Sequence, residues 1–417
     1  MQIVGLRILD HSLRRGDSKS NKKLITEIVK DAKNIITTII GFISYLTDNE
    51  ENSGDDTKQK KENAHQKKPV RSYVKYVRII SYLITGGGET SGDTQTKEKT
   101  GQKELVRLSL MFVSRLAING GKISARFRQE LSENPFFLDS LEHILNLEDY
   151  ILELWKPVMD IIASLALDET TRQEIGSTQS IIPKLMHAFL VPNDVNPSKN
   201  NNERSLRMVA GEALANLTVM STDNCWAILL ADPEHNLIKN LVNMLEDKHY
   251  ICVAANLLHN LCANSRDKLK DIDFGANEHL KSALEKVMQI IRTKEGKQLE
   301  AALCVTSQIG YVIPEYFSQM LESQTDAAAA ELVEKLVETL KSNRKPCPEY
   351  PRIRRVLIEV VISISSSAGA RYIKIFKEKG AKDALDMVKG TPSKLEKYRV
   401  FLDGEGVVAE SSHLCVT

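Results

Sequence analysis

Aromatic residues make up only 6% of this 417-residue chain, with two tryptophans and 12 prolines, so the aromatic, turn-rich texture of a β-sandwich or barrel is missing. Charge of one sign is missing too. With 56 Lys and Arg against 55 Asp and Glu, no whole-chain field favours nucleic acid, an anionic membrane or an acidic ligand. Six cysteines are present, Cys225, Cys252, Cys262, Cys304, Cys347 and Cys415, but they form no Cys-x-x-Cys pair and none sits at zinc-ligand spacing from histidine. Cys252, Cys262 and Cys304 fall inside helical patterns, where a free thiol is a small packing residue of a reducing compartment, cytoplasm or nucleus. Long apolar runs are absent: Ile35 to Leu46 is about 12 residues, interrupted by Thr37, Thr38 and Ser44, against the roughly 20 that a spanning helix needs. With no charged leader, apolar run and small-residue cleavage site in sequence, the expectation is a soluble chain without direct membrane insertion.

Catalytic signatures are also lacking. Gly86-Gly87-Gly88 is followed by no Gly-Lys-Ser/Thr, and no Gly-x-Ser-x-Gly, His-Glu-x-x-His or Gly-x-Gly-x-x-Gly occurs. The nine histidines are scattered, with His259 on a helical pattern beside Asn260. The expectation is a protein that is not an enzyme and holds no metal or cofactor.

What is present is a repeat. Val209, Ala210, Ala213, Leu214 and Leu217 form an apolar set that recurs 44 positions later as Val253, Ala254, Leu257, Leu258 and Leu261. The same register continues as Ala301, Ala302, Val305, Thr306 and Ile309, then Val356, Leu357, Val360, Val361 and Ile364. It extends backward through Val158, Ile161, Ile162 and Leu165 to Leu108, Phe112, Val113 and Leu116, with weaker copies ending at Leu83, Leu46 and Leu13. Pairs at i, i+1, i+4, i+5 and i+8 make a wide apolar stripe that one helix cannot bury alone. Second amphipathic helices follow the clearer stripes at Ile181 to Met186, Leu237 to Leu245 and Leu280 to Met288. Units of about 40 to 50 residues of this kind predict an all-α, right-handed α–α superhelix of the armadillo or HEAT type, with about eight to nine imperfect repeats over 1–390.

Polar, charge-rich or Gly-rich stretches at 47–69, 86–103 and 191–203 fall between the stripes and are expected as disordered insertions. Lys60-Lys61 and Lys67-Lys68-Pro69-Val70-Arg71 also fit a bipartite nuclear-import signal, although a charge run is more commonly a solvated surface. The first stripe, Gly5, Leu6, Leu9 and Leu13, has too few residues before it to complete a unit, which fits either a piece of a longer product or a frayed first helix. The tail 391–417 lies outside the repeat, and its Val400-Phe401-Leu402 is a candidate cap.

If the stripe is core, the opposite face carries the residue before each terminal Leu and those four and eight earlier. The first row reads Tyr45, Tyr82, Arg115, Ser164, Asn216, Asn260, Gln308 and Ser363. One turn earlier come Met111, Asp160, Glu212, Asn256, Cys304 and Glu359, and before them Arg107, Lys156, Met208, Cys252, Glu300 and Arg355. The mixture of signs disfavours a phosphate-binding surface and therefore nucleic acid.

Glu212-Ala213-Leu214-Ala215-Asn216-Leu217-Thr218, followed by Asp223-Asn224-Cys225 and then Leu237 to Leu245, resembles the armadillo consensus, and Leu257-Leu258-His259-Asn260-Leu261 repeats it. Leu165-Ala166-Leu167-Asp168-Glu169, leading into Ile175-Gly176 and Ile181-Ile182-Pro183, is a further copy. The overall texture, including Gly5-Leu6-Arg7-Ile8-Leu9-Asp10, is similar to plant armadillo-like proteins described as brassinosteroid-enhanced, whose N-terminal hydrophobic segments have no counterpart here. The resemblance implies a concave groove lined by third helices, in which the consensus Asn bonds the backbone of an extended peptide. No tryptophan array accompanies these asparagines, which departs from armadillo import receptors. The predicted groove residues are Arg115, Ser164, Met208, Glu212, Asn216, Cys252, Asn256, Asn260 and Gln308, and the predicted partner is a protein or peptide. The asparagines could instead satisfy backbone carbonyls at neighbouring helix ends. An accessory of nuclear transport or ubiquitin ligation is the alternative function, and a membrane-associated regulator a third, should an N-terminal hydrophobic region precede this chain.

Overall fold

The computed structural model describes residue 41 and residues 94–389, the latter except 119–120, 135, 148–150, 191–200, 233–235, 271–275, 346 and 348. The weak stripes ending at Leu13, Leu46 and Leu83, the 47–69 insertion and the tail lie outside the described residues. Among the described residues the chain is all-helical, with seventeen helices and no strand, an arrangement compatible with an α-solenoid. It divides into two compact units, whose described parts are 94–184 with 201–209, and 185–190 with 210–389.

In the first unit, α1 (Thr94–Ile118), α2 (Gly121–Ser132), α3 (Phe137–Asn146), α4 (Ile151–Leu165) and α5 (Glu169–Ser177) lead into the start of α6 (Ile181–Leu190). The long helices α1 and α4 pack on each other, and α2 and α3 bridge onto α4. Both predicted stripes are core: Phe112, Val113 and Leu116 from α1, and Val158, Ile161, Ile162 and Leu165 from α4, are buried. Asp168 starts α5 by accepting the Thr171 N–H at 3.0 Å, which satisfies one of the donors a first turn leaves open. The expected insertion at 86–103 is helical from Thr94 onward. Lys, Glu and Gln between 94 and 103 are good helix formers, and the single Gly101 does not stop a helix continued by the buried residues from Val106. Likewise α7 (Asn201–Leu217) begins within the expected 191–203 insertion.

The second unit repeats one order of helices three times. A short helix, an amphipathic second helix and a long third helix run as α8 (Thr222–Leu230), α9 (Leu237–Met244) and α10 (Ile251–Asn264). The order recurs as α11 (Arg266–Leu269), α12 (Ala276–Thr293) and α13 (Gly296–Val312), then α14 (Pro314–Glu322), α15 (Asp326–Ser342) and α16 (Ile353–Glu378), with α17 (Ala381–Lys389) at the end. Second helices pack in succession, α9 on α12 and α12 on α15, and so do third helices, α10 on α13 and α13 on α16. The stripes explain the stacking. Val253, Ala254, Leu257, Leu258 and Leu261 are at most 5% exposed, and each fully buried Val or Leu contributes about 1.5–3 kcal/mol.

Local chemistry sets the breaks. Ser221 and Thr325 cap α8 and α15 by accepting the N–H of Asn224 and Ala328, and Pro314 opens α14 where a missing donor costs nothing. Gly369, at φ +59°, kinks α16, and beyond the kink Arg371 Nη2 lies 2.8 Å from Asp326 Oδ1. Among the described residues α16 is the helix long and apolar enough to cross a membrane, with mean hydropathy 1.4; here it packs against α13, α14, α15 and α17.

Candidate functional site

The face of α10, α13 and α16 opposite their stripes carries the predicted third-helix rows of the second unit. At its centre is Arg352, the residue immediately before α16. Its backbone N–H donates to Glu300 Oε2 at 2.7 Å, and its Nε lies 3.2 Å from Glu300 Oε1. Its Nη2 reaches past α13 to donate to Asn256 Oδ1 on α10 at 3.2 Å. One guanidinium thus ties three successive third helices into register. Both charges are nearly out of water, each side chain 7% exposed, so the pair persists only because geometry and hydrogen bonding are complete.

Beside this hub His259 Nδ1 lies 2.7 Å from the Cys304 carbonyl oxygen and 3.4 Å from Cys304 Sγ. A carbonyl only accepts, so Nδ1 carries the proton. Cys304 and Glu300 are buried under these contacts, whereas Cys252, Asn256, His259 and Gln308 remain partly exposed. Further along, Arg355 Nε lies 3.3 Å from Glu359 Oε1.

The predicted groove residues separate by what their polar atoms already do. Asn260 Nδ2 donates to Ala215 O at 2.9 Å and to Thr218 Oγ1 at 3.1 Å. Asn264 Nδ2 donates to Thr218 O and Asn224 Nδ2 to Leu217 O, both at 2.9 Å. Three asparagines therefore serve the carbonyl-rich end of α7, where a last turn has no intrahelical donors left. Asn216 is 2% exposed and holds a core position. Asn256 differs: its Oδ1 accepts from Arg352, which orients the amide and leaves its Nδ2 without an acceptor among the described residues. Gln308, one helix on, likewise has no hydrogen-bond partner among the described residues. Asn256 and Cys252 are thus gathered around Arg352, a residue no local pattern singled out, with His259 set against Cys304.

In the first unit the rows are more charged. Ser164 is buried and donates to Asp160 O on its own helix at 2.9 Å. Lys156 Nζ lies 3.0 Å from Asp160 Oδ2, and Arg115 is near enough to attract the same carboxylate. Burial nevertheless raises the Asp160 carboxyl above its ordinary value, against the pull of Lys156, Ser114 and Arg115. Met208 of this unit and Glu212 of the second both lie on α7 and are partly exposed. Among the described residues no three His, Cys, Asp or Glu side chains converge as metal ligands would.

No family model matches the chain, and no curated protein matches it. Solved structures similar to it include three engineered proteins of the Northeast Structural Genomics Consortium. One is 14% identical with a TM-score of 0.37, covering 73% of this chain and 98% of its own. The second is 17% identical at 0.38, covering 76% and 97%, and the third 14% identical at 0.33, covering 93% and 99%.

Proposed function

We propose that this protein is a non-catalytic scaffold, an armadillo-like right-handed superhelix of about eight to nine imperfect repeats that binds an extended peptide segment of a protein partner. The observation that carries the reading is the pair of groove-face amides with hydrogen-bonding capacity left over. Asn256 Nδ2 and the Gln308 amide sit on successive third helices, partly exposed, on a face whose charges are already paired. An extended peptide offers a backbone carbonyl or N–H at every residue, and a row of side-chain amides on parallel supports can take them in turn. Neutral capacity of this kind suits a backbone better than a phosphate or a strongly charged ligand. The described cysteines are free thiols, which fits the cytoplasm or nucleus as the place of action.

Selection of a random peptide library on the purified chain tests the reading. Enriched peptides should bind in micromolar range or tighter, and Asn256→Ala with Gln308→Ala should weaken them about tenfold, two lost hydrogen bonds at about 0.5–1.5 kcal/mol each. Failure to enrich any peptide above a helical control, or unchanged affinity in the double variant, would remove this face from the account.

A further inference from the structure

Burial does not separate Cys225, Cys262 and Cys304, which are all in the core. Their neighbours do. Cys225 Sγ faces the carbonyl oxygens of Thr218 and Asn260 at 3.6 and 3.7 Å, and burial pushes both its thiol and that of Cys262 up to about 12. Cys304 Sγ instead lies 3.4 Å from the protonated Nδ1 of His259, with the Arg352 guanidinium close by. Burial opposes ionisation there too, and Glu359 adds to that opposition, yet the His259 contact and the Arg352 charge together hold the Cys304 thiol below its ordinary value. The 2.7 Å contact from Nδ1 to the Cys304 carbonyl fixes the imidazole against the same helical turn that carries the thiol. Glu300, which pairs with Arg352, and Cys252 complete the titratable groups around the cluster.

We propose that Cys304, paired with His259 across α10 and α13, is a site of reversible oxidation by hydroperoxides. The thiol proton passes to the imidazole, whose basic site is Nε2 because Nδ1 already carries a proton; the thiolate sulfur attacks the terminal peroxide oxygen, the O–O bond breaks, and the leaving hydroxide or alkoxide takes that proton from the imidazolium, departing as water or alcohol. Sulfur is oxidised to a sulfenic acid and the peroxide is reduced; one small-molecule thiol then condenses with the sulfenic acid to a mixed disulfide, releasing water, and a second exchanges with it to return the cysteine thiol and leave a small-molecule disulfide. Cys304 is only 1% exposed, so a small oxidant reaches it through local opening of the α10–α13 face. The added oxygen then sits beside Arg352, on the face that carries Asn256.

The full chain is treated with hydrogen peroxide, quenched with catalase, unfolded and alkylated, and each cysteine's loss of free thiol is read by peptide mass spectrometry. Cys304 should oxidise at least roughly tenfold faster than Cys225 and Cys262 in the same sample, because the imidazole 3.4 Å from its sulfur and the nearby guanidinium favour its thiolate. His259→Asn, which keeps a donor to the Cys304 carbonyl but removes the imidazole, should bring Cys304 back to their rate while circular dichroism stays unchanged. Equal rates for the three cysteines in the unaltered protein overturn the proposal on their own, even if His259→Asn does not fold. Retention of fast Cys304 oxidation in a folded His259→Asn protein overturns it equally.

Discussion

Glu300→Ala leaves the Arg352 guanidinium without its carboxylate where both side chains are 7% exposed. Removing one partner of a buried ion pair costs about 3–5 kcal/mol, because the surviving charge stays buried. The Arg352 N–H also loses its 2.7 Å acceptor at the start of α16, and loss of a helix-start cap costs about 1 kcal/mol. Arg352→Met strands Glu300 at similar cost. The double variant Glu300→Met with Arg352→Met removes both charges at nearly constant volume, so it loses chiefly the start of α16 and should be more stable than either single variant. Because the chain has two compact units, one global melting temperature is a poor readout, whereas native-state hydrogen exchange reports each helix separately. Opening free energies in α13 and α16 should fall by about 3–5 kcal/mol in the single variants, a loss of protection of roughly two to three and a half orders of magnitude. Amides of α1 and α4 serve as the internal reference. A single-variant loss of less than about tenfold, or a double variant less protected than both singles, would refute the reasoning from a buried, mutually dependent pair.

Two further outcomes follow from the same geometry. Asn260→Ala removes the donor shared by Ala215 O and Thr218 Oγ1, so it should destabilise the end of α7 by about 1–3 kcal/mol in hydrogen exchange while leaving the affinity for a selected peptide within about twofold. Asp160→Asn should change the pH dependence of stability. Burial raises the Asp160 carboxyl above its ordinary 3.8, so the folded state holds that proton more tightly than the unfolded chain; its contribution is present at low pH and lost as pH rises through the raised value. Urea unfolding from pH 7 to pH 4 should therefore show the unaltered protein gaining stability relative to Asp160→Asn, and the opposite slope would contradict the burial argument.

Periodicity located the core because the stripe is a property of one helix, readable from residues at most eight positions apart. Val253 to Leu261 and Val158 to Leu165 are buried as their spacing predicts, and so are the second helices at Leu237, Leu241, Leu280 and Leu284. Val361, in a stripe slot yet partly exposed, shows where the pattern weakens toward the end of the described helices. The opposite face was less legible for a physical reason. Register gives the direction of a side chain but not the distance to what lies across from it. Asn260 and Asn256 point to one face a turn apart, yet Asn260 meets the end of α7 while Asn256 meets Arg352, a residue 96 positions away. The burial of Glu300 and Cys304 follows from that distant arginine and from His259, and no local spacing encodes either contact. Low apolar content marks a segment that cannot form its own core; it does not stop residues 94–103, the described part of the 86–103 segment, from extending a helix anchored at Val106 and beyond.

Site-specific crosslinking tests the central claim most directly. A photoreactive amino acid placed at position 308, on the face with Asn256, should capture a selected peptide in a one-to-one adduct, and the same group at the exposed Lys248 should capture none. Equal capture at both positions, or capture only at 248, would contradict peptide binding along the α10–α13 face.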